Sequence, residues 1–185
     1  MAPSGYIGGI AARLRAPHAA LELTGPHGVG KSTLMRAVLA AADRPATLLR
    51  ANTERRVRGL PGALRLPYGG ILAIDGAEVV PRPVLAALDG WRRLRAAALL
   101  LTTHAPLGLG ETVPVRAEAE RLAGLCASLL DAAPGDLPER ALALLLDASG
   151  GDMREALFRL YDLWEDLPEP SAPALAAELS RRFSS

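Results

Sequence analysis

The stretch Gly25–Thr33, GPHGVGKST, constrains the fold more than any other part of the chain. It has the spacing Gly-x-x-x-x-Gly-Lys-Ser and lies between a short apolar segment and a segment with helical spacing. In that setting glycines let the backbone curve closely around phosphate oxygens, while exposed N–H groups and the helix N-terminus supply a positive field. The stretch therefore predicts a strand, a phosphate-binding loop and a helix, in that order.

Two side chains of this loop carry its expected chemistry. Lys31 is expected to contact the β- and γ-phosphates of a nucleotide, and the Ser32 hydroxyl to bind Mg²⁺. His27 occupies a variable position, where a bystander is favoured over a role in catalysis. The predicted nucleotide-binding loop residues are Gly25, Pro26, His27, Gly28, Val29, Gly30, Lys31, Ser32 and Thr33.

A second element, GGILAIDG at Gly69–Gly76, is a continuous apolar run that ends in Asp75. Such a run is typical of a strand buried on both faces of a parallel sheet. A carboxylate at the end of that strand would lie beside the phosphate loop and could orient Mg²⁺ through water. Ser32 and Asp75 are therefore the predicted metal-side residues.

The order of predicted elements changes along the chain. Strands and helices alternate up to about residue 115, and helices alone follow. The predicted strands are 19–25, 46–52, 69–76, 97–104 and a short one near 113–115, and the predicted helices are 31–42, 81–96, 116–132, 138–148, 152–166 and 172–183. This pattern predicts an α/β fold, with a three-layer core and parallel sheet at residues 1–115 and a small helical lid at 116–185.

These motifs together resemble the AAA+ branch of the P-loop NTPases. Asp75 is followed by a helix and by a strand that ends in Thr102-Thr103-His104. In AAA+ proteins that strand ends in a polar sensor residue and lies between the nucleotide and the Asp strand. The resemblance implies ATP and Mg²⁺ as ligands, with Thr102 or Thr103 as the sensor, and Thr103 joins the candidate catalytic set.

The C-terminal part extends the resemblance. SGGDMREALFRLYDL, at Ser149–Leu163, is similar to the lid helix of clamp-loader-like AAA+ proteins, in which an Arg reaches the γ-phosphate. That likeness implies Arg154 as a second sensor, and Asp152 is a suitable N-cap for the helix. The chain also resembles small bacterial proteins described only as ATP-binding, a likeness that implies no substrate.

The chain departs from the AAA+ pattern in two respects. Gly76 stands where those ATPases usually place a water-polarising Glu, and Glu78 follows three residues after Asp75. Glu78 is the candidate base, with a role merely near the site as the alternative. No Arg lies between His104 and Val115, so the usual subunit-bridging Arg is not evident. The candidate catalytic residues are Lys31, Asp75, Glu78 and Thr103.

Three functions fit these motifs. The leading hypothesis is a Mg²⁺-dependent AAA+-like ATPase that acts as a nucleotide switch on an unidentified protein partner. A nucleotide-binding module without turnover is the second, supported by Gly76. A small-molecule P-loop kinase is the third, with Glu54 and nearby arginines as acceptor site. ATP is expected over GTP because the guanine-specifying string Asn-Lys-x-Asp is absent.

The charge distribution and the cysteine content indicate which ligands and which cellular compartment suit the chain. Residues 1–70 carry a net charge of +7 and residues 71–185 a net charge of −6, which suits an anionic ligand. The basic stretch Arg50–Gly59 favours a solvated loop over nucleic-acid binding, since no aromatic stacking platform accompanies it. The single Cys126 is expected to be an inert core thiol, and a cytoplasmic protein without signal peptide or membrane span is predicted.

Overall fold

The computed structural model describes residues 4–51, 57–58, 60–130 and 136–183. The helices are α1 Ser4–Arg13, α2 Lys31–Ala41, α3 Leu60–Ala63, α4 Arg82–Leu94, α5 Ala119–Leu129, α6 Glu139–Ala148, α7 Met153–Glu165 and α8 Ala172–Arg182. The strands are β1 Ala20–Thr24, β2 Ala46–Ala51, β3 Val57–Arg58, β4 Ile71–Asp75, β5 Ala98–Thr103 and β6 Glu111–Pro114.

The six described strands form one sheet in the order β3-β2-β4-β5-β1-β6. Every neighbouring pair is parallel except β2 and β3, which are antiparallel at one edge. The predicted α/β class with a parallel sheet is confirmed. β5 lies between β1 and β4, so it separates the strand before the glycine loop from the strand that ends in Asp75.

The apolar runs of β4 and β5 are buried because helices cover both faces of the sheet. Leu72 and Ile74 pack in one cluster with Leu85 and Leu88 of α4. Successive strand residues point to opposite faces, so Ala73 belongs to the other face, where α2 packs against β4 and β5. The sheet and its two helical layers make up the predicted three-layer core.

Helix α1 is not among the predicted elements. Its sequence, SGYIGGIAAR, contains three glycines, and glycine weakens a helix interior. Packing outweighs this local preference: α1 lies against α2, and Ile10 and Ala11 are buried. An N-terminal helix with weak intrinsic propensity is therefore stabilised by tertiary contacts that the sequence alone does not reveal.

The chain divides into two compact units. The sheet unit comprises residues 2–25 and 31–115, and the helical unit comprises Pro26–Gly30 and 116–185. The helical unit has its own core, which includes Leu122 of α5, Leu142 of α6, Ala156 of α7 and Leu179 of α8. None of the helices in the described part of the chain has both the length and the apolar character required to cross a membrane.

Candidate functional site

Parallel strands of the sheet unit bring several predicted site residues together at the edge formed by the carboxyl ends of the strands. Gly25 follows β1, Asp75 ends β4, and Thr103 ends β5. The Gly25 N–H donates to Thr103 O at 3.3 Å, which ties the first loop residue to the neighbouring strand. Ligands of open α/β sheets bind beyond the carboxyl ends of the strands, so this edge is the candidate site.

Asp75 accepts two hydroxyl hydrogen bonds on one carboxylate oxygen. Ser32 Oγ lies 2.7 Å from Asp75 Oδ1, and Thr102 Oγ1 lies 2.7 Å from the same atom. Ser32 lies in the first turn of α2, and Asp75 ends β4 and is only half-buried, so both side chains lie beyond the buried part of the sheet. A hydroxyl and a carboxylate in contact are hard oxygen donors of the kind that Mg²⁺ prefers, and this pair fits the predicted ion.

The strand register selects Thr102 as the partner of Asp75. Ala73 pairs with Leu100 and Ile74 with Leu101, so the next pair along is Asp75 and Thr102. Thr102 Oγ1 also accepts a hydrogen bond from Gly76 N at 2.8 Å. The Thr102 hydroxyl thus links the backbone after β4 to the Asp75 carboxylate, and it fixes the orientation of that carboxylate.

The second threonine points elsewhere. Thr103 is fully buried, and its Oγ1 donates to Ala105 O at 2.8 Å. Successive residues of a strand alternate between faces, so Thr103 cannot share the contact that Thr102 makes. Of the two sensor candidates, Thr102 contacts Asp75, and the catalytic role of Thr103 stays a prediction.

Lys31 lies at the same edge. Its Nζ donates to Gly25 O at 2.6 Å, within the loop that the two residues bound. Burial lowers the pKa of Lys31, while the negative charges of Glu78 and then Asp75 act to raise it. The ammonium is therefore poorly solvated, and an anionic ligand such as a phosphate would stabilise its charge.

The surroundings of Gly76 explain why this position holds a glycine and not the glutamate that the AAA+ resemblance would lead one to expect. Its φ is 80°, in the left-handed region, and an added Cβ would lie 2.8 Å from Ala51 O. A glutamate here would be both strained and in collision with backbone. The chain then forms a 3₁₀ turn at Ala77–Val79, and Glu78 is the first carboxylate after Asp75.

Glu78 has a partner that the sequence did not assign. His104 Nδ1 lies 3.3 Å from Glu78 Oε1, and the two side chains are 34% and 26% exposed. His104 directly follows β5, and Glu78 lies in the turn after β4, so the adjacency of β4 and β5 brings them together. The sequence analysis placed Glu78 after one predicted strand and His104 at the end of another, but only the sheet order reveals that those strands are neighbours.

A buried carboxylate anchors the loop that follows His104. Glu22 is fully buried in β1, and it accepts hydrogen bonds from the backbone N–H groups of Leu107, Leu109 and Gly110. A carboxylate that accepts several backbone N–H bonds is well compensated for its burial. The signal in the sequence was a single Glu within the apolar segment AALELTG.

In the helical unit, the start of α7 lies against the glycine loop. Asp152 is confirmed as the N-cap, since its Oδ1 accepts from Arg154 N at 2.8 Å and from Glu155 N at 3.2 Å. Gly28 has φ of 73°, and an added Cβ there would overlap the Asp152 carboxylate. Arg154 is exposed, and its role as a second sensor stays a prediction.

The basic stretch falls largely outside the described residues. Arg50 pairs with Arg58 across β2 and β3, while 52–56 and 59 are not among the residues that the structure describes. The predicted solvated loop and the kinase acceptor Glu54 therefore lie outside them.

Solved structures with the same fold span nearly the whole chain. A DNA replication initiation factor aligns at 12% identity over 96% of this chain and 63% of its own, with a TM-score of 0.62. The RuvB Holliday junction branch migration motor of Thermotoga maritima aligns at 17% identity over 97% and 69%, with a TM-score of 0.60. NtrX from Brucella abortus, solved in complex with ATP, aligns at 19% identity over 97% and 58%, with a TM-score of 0.53. The chain thus shares the α/β fold of these proteins and spans under two thirds of the length of the first.

Comparison with curated proteins gives a shorter match. Porphobilinogen deaminases of Bordetella parapertussis and Bordetella bronchiseptica are each 38% identical in an alignment of 97 residues that covers 48% of this chain and 31% of theirs. The chain spans about a third of the length of these curated relatives. No family model matches the chain.

Proposed function

We propose that the chain binds ATP with Mg²⁺, hydrolyses it, and uses the nucleotide state to change its affinity for a protein partner. The observation that carries this proposal is the cluster of Ser32, Thr102 and Lys31 around Asp75, at the carboxyl ends of three parallel strands. The ATP complex of NtrX, which shares the fold, supports the choice of nucleotide.

Each residue of the cluster would hold a different part of the ligand. The Lys31 ammonium would exchange its bond to Gly25 O for oxygens of the β- and γ-phosphates. Ser32 and Asp75 would hold Mg²⁺, which when bound neutralises charge between those phosphates. Thr102 would keep the Asp75 carboxylate in one orientation through its two hydrogen bonds.

Hydrolysis requires a group that orients water, and Glu78 is our candidate. Its negative charge acts to raise the pKa of Lys31, as that of Asp75 does, so both carboxylates influence the ammonium that would bind the phosphates. The water oxygen would form a bond to the γ-phosphorus while the bond to the β–γ bridging oxygen breaks. Glu78 would accept the water proton, and ADP would leave with the bonding electron pair.

The switch is proposed from the contacts that depend on the γ-phosphate. Lys31 would bind this phosphate, and Ser32 and Asp75 would hold the Mg²⁺ that accompanies it. Loss of the γ-phosphate after hydrolysis would remove the contact to Lys31 and alter the surface offered to a partner.

Binding can be tested at a single atom, because Lys31 is the only lysine in the chain. In protein labelled with ¹⁵N-lysine, Nζ gives one side-chain signal, and ATP with Mg²⁺ should shift it. Negative phosphates should also raise the lowered Lys31 pKa. Absence of a shift at millimolar ATP would contradict binding at this loop, whatever the turnover.

Turnover is tested by ATP hydrolysis in wild-type protein, Lys31→Ala and Glu78→Gln. We expect Lys31→Ala to lose binding, and Glu78→Gln to bind ATP with kcat reduced by about 10²–10⁴-fold. Arg36→Ala, at an exposed site of α2, and Glu169→Gln, in an exposed segment, are the matched controls. Equal turnover by wild type and Glu78→Gln would overturn the role of Glu78.

A module that binds without turnover is the second candidate, favoured by the environment of Gly76. Since position 76 cannot hold a glutamate without strain and collision, this chain lacks the usual means of polarising water. Tight ATP binding in the ¹⁵N-lysine experiment together with no ADP formation would support this function instead.

A further inference from the structure

We infer that His104 is a positioning residue for Glu78, and that its imidazole Nδ1–H holds the carboxylate in the orientation that accepts the water proton. The inference rests on the proposed hydrolysis. It starts from the 3.3 Å separation of His104 Nδ1 and Glu78 Oε1. No role for His104 follows from the phosphate-loop motif or from the AAA+ resemblance.

A hydrogen bond from His104 would act on the end of the Glu78 side chain, while the core holds its backbone. The 3₁₀ turn is anchored by Ala77 and by Val80 directly after it, which are 0% and 4% exposed and pack in one core cluster with β4 and β5. The Glu78 side chain is 26% exposed. A hydrogen bond at one carboxylate oxygen restricts the rotation of the carboxylate.

His104 is suited to this task because the backbone on both sides of it is held. On one side, β5 is fully buried through Thr103, whose hydroxyl donates to Ala105 O. On the other side, the Glu22 carboxylate holds the N–H groups of Leu107 and Gly110. The imidazole thus projects from a segment that is tied to the sheet at two points.

The two carboxylate oxygens of Glu78 would then have different roles. The His104 Nδ1–H bond would hold Oε1, which leaves Oε2 of Glu78 to accept the proton as water oxygen bonds to the γ-phosphorus. His104 itself would neither gain nor lose a proton in this step. A carboxylate misplaced by about 1 Å can cost about 10²-fold in rate, so losing the imidazole should lower kcat more than ATP affinity.

The first test compares His104→Ala, His104→Asn and the control His18→Asn. Asparagine can offer its Nδ2–H near the position of the imidazole Nδ1–H, and His18 is an exposed residue outside the site. We expect His104→Ala to lower kcat by about 10- to 100-fold, with the dissociation constant of ATP within about twofold of wild type. His104→Asn should restore most of the rate, and His18→Asn should not change it.

The second test has a readout besides activity. The chain has three histidines, so imidazole ¹⁵N signals can be assigned by single substitution. Glu78→Gln should shift the His104 Nδ1 signal in the nucleotide-free protein, and Glu169→Gln should not. No shift would overturn the pairing.

The kcat values of the single and double variants distinguish the positioning role of His104 from hydrolysis itself. In a double-mutant cycle, His104→Ala added to Glu78→Gln should cost no further rate, because both remove the same interaction. Full kcat in His104→Ala, with Glu78→Gln inactive, would overturn the positioning role and leave hydrolysis standing. Absence of turnover in the wild-type protein would overturn both.

Discussion

At the scale of single residues, Gly76 decides where the water-orienting carboxylate can stand. We predict that Gly76→Glu, which restores the usual AAA+ order of residues, lowers the free energy of unfolding by roughly 1–3 kcal/mol and does not raise kcat. The positive φ and the approach to Ala51 O oppose any side chain at this position. Urea denaturation and ATP turnover measure the two effects.

The matched control is Gly124→Glu on α5, where an added Cβ would meet nothing within 4 Å. We expect it to leave the unfolding free energy unchanged or to raise it slightly, since glycine is the weaker helix former. A stable Gly76→Glu variant with faster turnover would contradict the assignment of Glu78.

The two threonines give a second prediction at this scale. Thr102→Val removes the hydroxyl that donates to Asp75 and accepts from Gly76 N, so we expect kcat to fall by about 10-fold or more. Thr102→Ser should restore the rate. Thr103→Val should affect stability rather than kcat because its hydroxyl bonds Ala105 O, and loss of turnover in Thr103→Val alone would reverse this choice.

These two threonines also show which site residues can be identified from the sequence and which cannot. Lys31, Ser32 and Asp75 could be predicted because each belongs to a motif in which residue type and spacing are tied to one task. Thr102 and Thr103 are identical in type and adjacent in sequence, so only the register of β4 and β5 separates them. His104 and Glu78 are 26 residues apart in the chain, and their pairing depends on strand order.

At the scale of elements, a buried charge in β1 holds the loop between β5 and β6. We predict that Glu22→Gln lowers the free energy of unfolding by about 1–3 kcal/mol, because an amide has one acceptor oxygen for three backbone N–H groups and adds two donors of its own. Urea denaturation measures this loss.

Glu111→Gln is the control for Glu22→Gln. Its carboxylate lies on β6, is 69% exposed and pairs with Arg13, so we expect a change of about 0–1 kcal/mol. Equal losses in the two variants would contradict the anchoring role of Glu22.

The helices and strands differ in how well they can be predicted from the sequence. β4 and β5 were predictable because their apolar runs are buried on both faces, and α7 because Asp152 caps a strongly periodic segment. α1 was not, since Gly5, Gly8 and Gly9 argue against a helix until its contact with α2 is known. β3 spans two residues, too short for any periodicity to appear.

At the scale of the whole molecule, charge and organisation bear on ligand binding. Ten of the 21 basic residues lie in the first 70 positions, beside only three acidic ones. An excess of positive charge in the part of the sequence that holds the glycine loop should speed the approach of an anion, an effect that salt screens. ATP association should therefore slow with rising ionic strength more than dissociation does.

Nucleotide binding should be visible in the thermal stability of the protein. ATP with Mg²⁺ at about 100 times its dissociation constant should stabilise the protein by about 2.7 kcal/mol, or roughly 5–10 °C in Tm for a chain of this size. Lys31→Ala should abolish the shift. A second sensor contacts the bound nucleotide, so Arg154→Ala should reduce the shift, while Arg181→Ala on α8 should not. Differential scanning calorimetry measures these shifts, and an undiminished shift in Arg154→Ala would contradict its role as a sensor.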